Sequence, residues 1–136
     1  MKEIESFEAL PLAATILRAL RDKNYSKPSQ IQSEAIPLLL DGHDLLGAAQ
    51  TGTGKTAAFA LPILQKIHDN PKPLRKNGMR ALILTPTREL AVQVARSFSD
   101  YGRHMRLSVE TVYGGVSMFR QIQEKYARDS RSCLQL

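Results

Sequence analysis

One stretch constrains the fold of this chain more than any other: Ala49-Gln50-Thr51-Gly52-Thr53-Gly54-Lys55-Thr56. A short apolar run, Asp44 to Ala48, precedes it, and a segment suited to a helix follows as far as His68. Gly52 and Gly54 let the backbone turn so that successive N–H groups point inward. A helix starting at Gly54 or Lys55 aims its positive end at the same point. Such a concavity holds phosphate. Lys55 adds a mobile point charge with the reach of β- and γ-phosphates, and Thr56 adds a hydroxyl suited to Mg²⁺. This is the phosphate-loop pattern G-x-x-x-x-G-K-[ST], with Ala49 where its first glycine usually sits. The competing reading is a glycine-rich strand-to-helix turn without a ligand, and it does not require the lysine and threonine in register.

The rest of the chain alternates in a way that suits the loop. Leu10, Ala13, Leu17 and Leu20 recur at helical spacing, with Pro11 near the start. Asn24 to Pro28 reads as a loop. A second helix is predicted from near Ser29 to before Gly42, with Pro37 as a kink or early stop. The phosphate-loop helix follows, bent at Pro62. Asn70 to Gly78, with its prolines and Lys72, Arg75 and Lys76, reads as an exposed loop. Ala81-Leu82-Ile83-Leu84 is a continuous apolar run of the kind found in a strand covered on both faces. Thr85 or Thr87 then caps a helix to about Tyr101. Leu107 to Tyr113 reads as a strand broken by Gly114-Gly115, and a last helix is predicted from Ser117 to about Tyr126. The alternation predicts an α/β fold, a parallel sheet with helices on both faces.

Composition sets the outer bounds. The 136 residues suit one domain, and 43% hydrophobic content favours a folded chain. No stretch approaches the ~20 apolar residues of a membrane span, and the acidic N-terminus lacks the apolar core of a signal peptide. A lone cysteine, Cys133, forms no internal disulfide and is consistent with a reducing compartment, so a cytoplasmic location and no membrane partner are expected. The net charge of +6 permits nucleic-acid binding without demonstrating it, because the basic residues are spread along the chain.

Further motifs narrow the class. Pro86-Thr87-Arg88-Glu89-Leu90-Ala91 and Gly114-Gly115 lie downstream of the loop, and Tyr25-Ser26-Lys27-Pro28-Ser29-Gln30-Ile31-Gln32 lies upstream. Together with alanine in the loop's first position, they make residues 6 to 123 resemble the DEAD-box ATP-dependent RNA helicases, with wording similar to bacterial RhlE-type members. The upstream segment looks like that family's Q motif. Asn24 stands where the family usually has glycine, and Gln30 where it usually has a second proline.

The resemblance implies a RecA-like domain that binds ATP and Mg²⁺ and touches RNA. It implies that Gln32 selects adenine, that Tyr25 stacks on the base and that Phe7 supports from upstream. Adenine's donor N6 and acceptor N7 match a carboxamide, whereas guanine offers two acceptors there. The same Ser29-x-x-Gln32 spacing is also a capping box, in which Gln32 merely closes a helix start. Pro86, Thr87, Arg88, Gly114 and Gly115 are implied to meet RNA phosphates and sugars. Without the resemblance they read as ordinary capping and a strand-ending turn.

Residues 1–123 are thus expected to form the front part of the first RecA-like domain, and 124–136 a divergent tail. Residues 127–132 lack an apolar strand, and neither the Asp-Glu-Ala-Asp motif nor the second RecA-like domain is found. On this reading Lys55 and Thr56 are the only catalytic groups, and the chain by itself is expected to be inactive. Two rivals follow: a non-catalytic nucleotide- and RNA-binding fragment, and a phosphate-loop kinase or other NTPase, against which Gln32 and Pro86 to Ala91 argue.

Overall fold

The computed structural model describes residues 4–71, 78–114 and 132–135, with side chains for the first two segments. A short 3-10 turn, Phe7–Ala9, leads into four helices: α1 Ala14–Asp22, α2 Gln30–Leu40, α3 Lys55–Asp69 and α4 Arg88–Tyr101. Two strands follow, β1 Leu107–Glu110 and β2 Ser132–Gln135.

The helix boundaries follow from their caps. Ser29 precedes α2, and Gln32 closes a capping box with it. Gly54, left-handed at φ 89°, precedes α3. The Thr87 hydroxyl accepts from the Leu90 N–H at 3.2 Å and starts α4. Pro37 and Pro62 both sit inside helices that continue past them, to Leu40 and Asp69. The first helix begins later than the leucine spacing suggests. Its cap is Ala13, because Pro11 separates it from the 3-10 turn.

α3 is the hub. Ala60, Leu61 and Leu64 are fully buried and pack with Ile16 and Leu20 of α1, Ile36 of α2, and Val94 and Phe98 of α4. An apolar stripe of this kind supplies most of the stability of an amphipathic helix. Gln65, buried on the same helix, accepts from the Ala13 N–H at 2.6 Å and donates to Asp69 at 2.8 Å. The polar side chain thereby caps α1 from across the core.

The sheet is smaller than the apolar runs predict. β1 and β2 pair in parallel, with Leu107 opposite Ser132 and Glu110 opposite Gln135. The connection through residues 111–131 is long enough for a parallel crossover. Asp44 to Ala48 is not a strand, and Ala81 to Leu84 shows only an isolated bridge at Leu82. A strand exists through its ladder partners, and among the described residues neither run forms a ladder. β2 lies inside the expected tail. The predicted helix from Ser117 to Tyr126, together with Gly115, lies outside the described residues.

Candidate nucleotide and RNA site

The phosphate loop leads directly into α3, the best-packed helix, so its position is fixed by the core. Gly52 and Gly54 have φ of 85° and 89°, the left-handed geometry that glycine permits at least cost. Gly54 has a second constraint. A β-carbon there would collide with the Gln32 amide nitrogen and lie 3.1 Å from the Ser29 hydroxyl. Thr53 donates its hydroxyl to the Gln50 carbonyl at 2.8 Å. The Lys55 ammonium donates to the carbonyls of Ala49 and of Gln50, the latter at 2.9 Å. The loop is therefore closed around its own cation. Thr51 is exposed, and Thr56 stands half-buried in the first turn of α3.

The segment upstream is fastened to this loop. The Gln32 oxygen accepts from the Ser29 N–H at 2.9 Å, while its nitrogen donates to the Gly54 carbonyl at 3.1 Å. The Ser29 hydroxyl donates to the Thr53 carbonyl at 2.8 Å. Gln32 is thus a helix cap and a brace for the loop at once. Each end of its amide has one further hydrogen-bonding position, because the oxygen has a second lone pair and the nitrogen a second hydrogen.

Tyr25 and Phe7 occupy different environments. Phe7 is buried in the core, and its N–H donates to the Ser26 carbonyl at 3.2 Å, which pins the loop from behind. Tyr25 is 43% exposed. Its ring lies 6.4 Å from that of Tyr101 on α4, and the Lys23 ammonium sits 5.9 Å from its centroid. Asn24, where glycine is usual, adopts φ 57°. The position demands a left-handed residue, and asparagine is among the few others that tolerate one.

The expected RNA-facing residues converge at the other end of α4. Pro86, Thr87, Arg88 and Gly114 line one cleft of about 530 Å³ with Tyr113. Arg88 stands 5.6 Å from the centroid of the Tyr113 ring, a cation–π contact that restrains the guanidinium. Tyr113 was not legible as a site residue, since a tyrosine at the end of a strand reads as packing. Lys23 and Asp100 were missed because each one's partner lies far away in sequence, and Ser29 was legible as a helix cap but not as a brace on Thr53.

Fold and site together define an α/β protein with a phosphate-loop motif whose loop is braced by an upstream glutamine. Residues 29–134 match the DEAD/DEAH box helicase family, and the chain belongs to it. It is 53% identical over 117 residues to the ATP-dependent RNA helicase DeaD of Escherichia coli strain K12, covering 85% of this chain and 18% of that protein. It is 49% identical over 115 residues to the ATP-dependent RNA helicase SrmB of the same strain, covering 84% and 26%.

Among solved structures, a DEAD box protein from Methanococcus jannaschii superposes with a TM-score of 0.79 at 37% identity, over 98% of this chain and 35% of that one. The RNA helicase Prp28 from Chaetomium thermophilum, bound to ADP, superposes with a TM-score of 0.84 at 32% identity, over 99% and 32%. The fold is thus the RecA-like one of these helicases. The chain spans about a fifth to a quarter of the length of these curated relatives.

Proposed function

We propose that this chain is the adenine-nucleotide-binding and RNA-touching part of an ATP-dependent RNA helicase, a protein that couples ATP hydrolysis to RNA duplex unwinding or remodelling. One observation carries the reading: Gln32 and Ser29 hold the carbonyls of Gly54 and Thr53, so the adenine-side segment and the phosphate loop are one unit. A phosphate-loop kinase needs no such glutamine.

The geometry of the described residues supports the following roles. The remaining hydrogen-bonding positions of the Gln32 amide match N6 and N7 of adenine. The exposed ring of Tyr25 offers a stacking surface, and Phe7 acts only through the loop it pins. The N–H groups of residues 49 to 56 and the start of α3 receive phosphate oxygens, and Lys55 exchanges carbonyls for phosphates. The Thr56 hydroxyl fits Mg²⁺ as a single protein ligand, in keeping with a metal that retains water and phosphate oxygens. Bound Mg²⁺ would neutralise phosphate charge. Pro86, Thr87, Arg88, Gly114 and Gly115 would grip the RNA backbone without reading bases. A cytoplasmic location suits a chain whose lone cysteine forms no internal disulfide.

Titration of ADP, ATP and GTP into the wild type, Gln32→Ala and Lys55→Ala tests the reading. Adenine nucleotides should bind more tightly than GTP, and Gln32→Ala should remove about 1–3 kcal/mol of that preference, the scale of one bidentate base contact. Equal affinity for all three nucleotides in the wild type would sink it.

A further inference from the structure

The C-terminal end of α4 carries a cluster of two rings and an ion pair around Tyr25. Tyr101, the last residue of α4, is buried in the core, and its ring backs that of Tyr25. Asp100 beside it holds the Lys23 ammonium at 2.6 Å, and both side chains are about two-thirds covered. That ammonium is the same one that lies against the Tyr25 ring. The Tyr25 backbone is fixed as well, since its N–H donates to the Leu20 carbonyl at 2.9 Å immediately after the left-handed turn at Asn24.

An exposed aromatic ring on a loop normally samples several rotamers, and a ligand that stacks on it must order it first. Here the ring is held by a second ring packed against it and by a cation that lies over its face and is itself tied to α4. Resting on the adenine reading above, we propose that Tyr101 and the Asp100–Lys23 pair are positioning residues that hold Tyr25 ready to stack on the base. Neither touches the nucleotide. They set the ring's orientation before the ligand arrives, so their effect falls on the base and leaves the phosphates alone.

Comparing ADP with inorganic pyrophosphate isolates that effect, because the two differ by the adenosine. Both are titrated with Mg²⁺ into the wild type, Tyr101→Leu, Tyr101→Phe and Lys23→Met. Tyr101→Leu should weaken ADP about three- to tenfold, the scale of one aromatic pair, and leave pyrophosphate unchanged. Tyr101→Phe keeps the ring and should bind ADP as the wild type does. Lys23→Met should weaken ADP by a smaller factor, again without affecting pyrophosphate.

If Tyr101→Leu does not fold by circular dichroism, Lys23→Met decides. Unchanged ADP affinity in the folded variants overturns the proposal, and so does an equal loss for both ligands, which marks a general structural role. A wild type that binds ADP no more tightly than pyrophosphate overturns the adenine reading itself.

Discussion

Three left-handed positions, Asn24, Gly52 and Gly54, show how closely single residues are specified here. At Asn24 the backbone sits at φ 57° between α1 and the loop that carries Tyr25. Alanine in that conformation costs about 1 kcal/mol, while glycine adopts it freely. Asn24→Ala should therefore lower stability by about 1 kcal/mol and Asn24→Gly should not, as read from urea midpoints at unchanged slope. In the phosphate loop, Gly52 and Gly54 have nearly the same φ but different surroundings. A β-carbon at Gly52 meets nothing within 4 Å, whereas one at Gly54 runs into the Gln32 amide and crowds Ser29. Gly52→Ala should cost only the backbone strain, about 1–2 kcal/mol. Gly54→Ala must also break the brace to α2, so its loss of ADP affinity should be clearly larger. Titration of both variants checks the order, and equal losses would mean that the brace does not matter.

At the scale of elements, α4 links the two ends of the site: Thr87 and Arg88 stand at the cleft, and Asp100 and Tyr101 at the ring of Tyr25. Burial, reinforced by the nearby charges of Tyr25 and Asp100, pushes the Tyr101 hydroxyl up to about 12 from its ordinary 10. The folded state thus holds this proton more tightly than the unfolded state. Stability is unaffected below pH 10 and falls as pH rises from 10 toward 12, by up to ~2–3 kcal/mol. Tyr101→Phe should remove that alkaline loss, and melting curves between pH 8 and 12 measure it. A wild type and variant with parallel profiles would contradict the assignment. α2, α3 and α4 were legible in the sequence because their start signals are local: Ser29 with Gln32, Gly54 before Lys55, and Thr87 three residues before Leu90. The strands were less legible, since Ala81 to Leu84 has the right composition but strand identity rests on a partner. The Lys23–Asp100 pair spans 77 positions, and nothing at either residue announces the other. The loop, Gln32 and the Pro86–Arg88 segment were readable because each is a contiguous motif. The dual use of Gln32 as cap and brace needed coordinates, because both roles share one spacing.

For the whole molecule, the balance between its apolar and charged surfaces decides how it behaves in solution. Leu46 is 101% exposed and Leu84 is 84% exposed, values unusual for leucine in a run that reads as a buried strand. Leu82, Leu84 and Val112 line the same cleft as Arg88, and all three are more than half exposed, so the cleft has an apolar wall. Such a wall invites another apolar surface, at roughly 25 cal/mol for each Å² removed from water. The chain should therefore self-associate as its concentration rises, and Leu84→Lys should shift the association to higher concentration. Salt separates this contact from RNA binding. Apolar association persists or strengthens as salt rises, whereas a grip on phosphates weakens because counterions no longer gain by release. Sedimentation of the protein alone at low and high salt, alongside single-stranded RNA binding under the same conditions, reads both. Arg88→Ala should weaken RNA binding and flatten its salt dependence while leaving self-association in place, and Leu84→Lys should reduce self-association without weakening RNA binding. A wild type that stays monomeric at every concentration, or an association that dissolves in salt, would show that the leucine wall is not the contact surface.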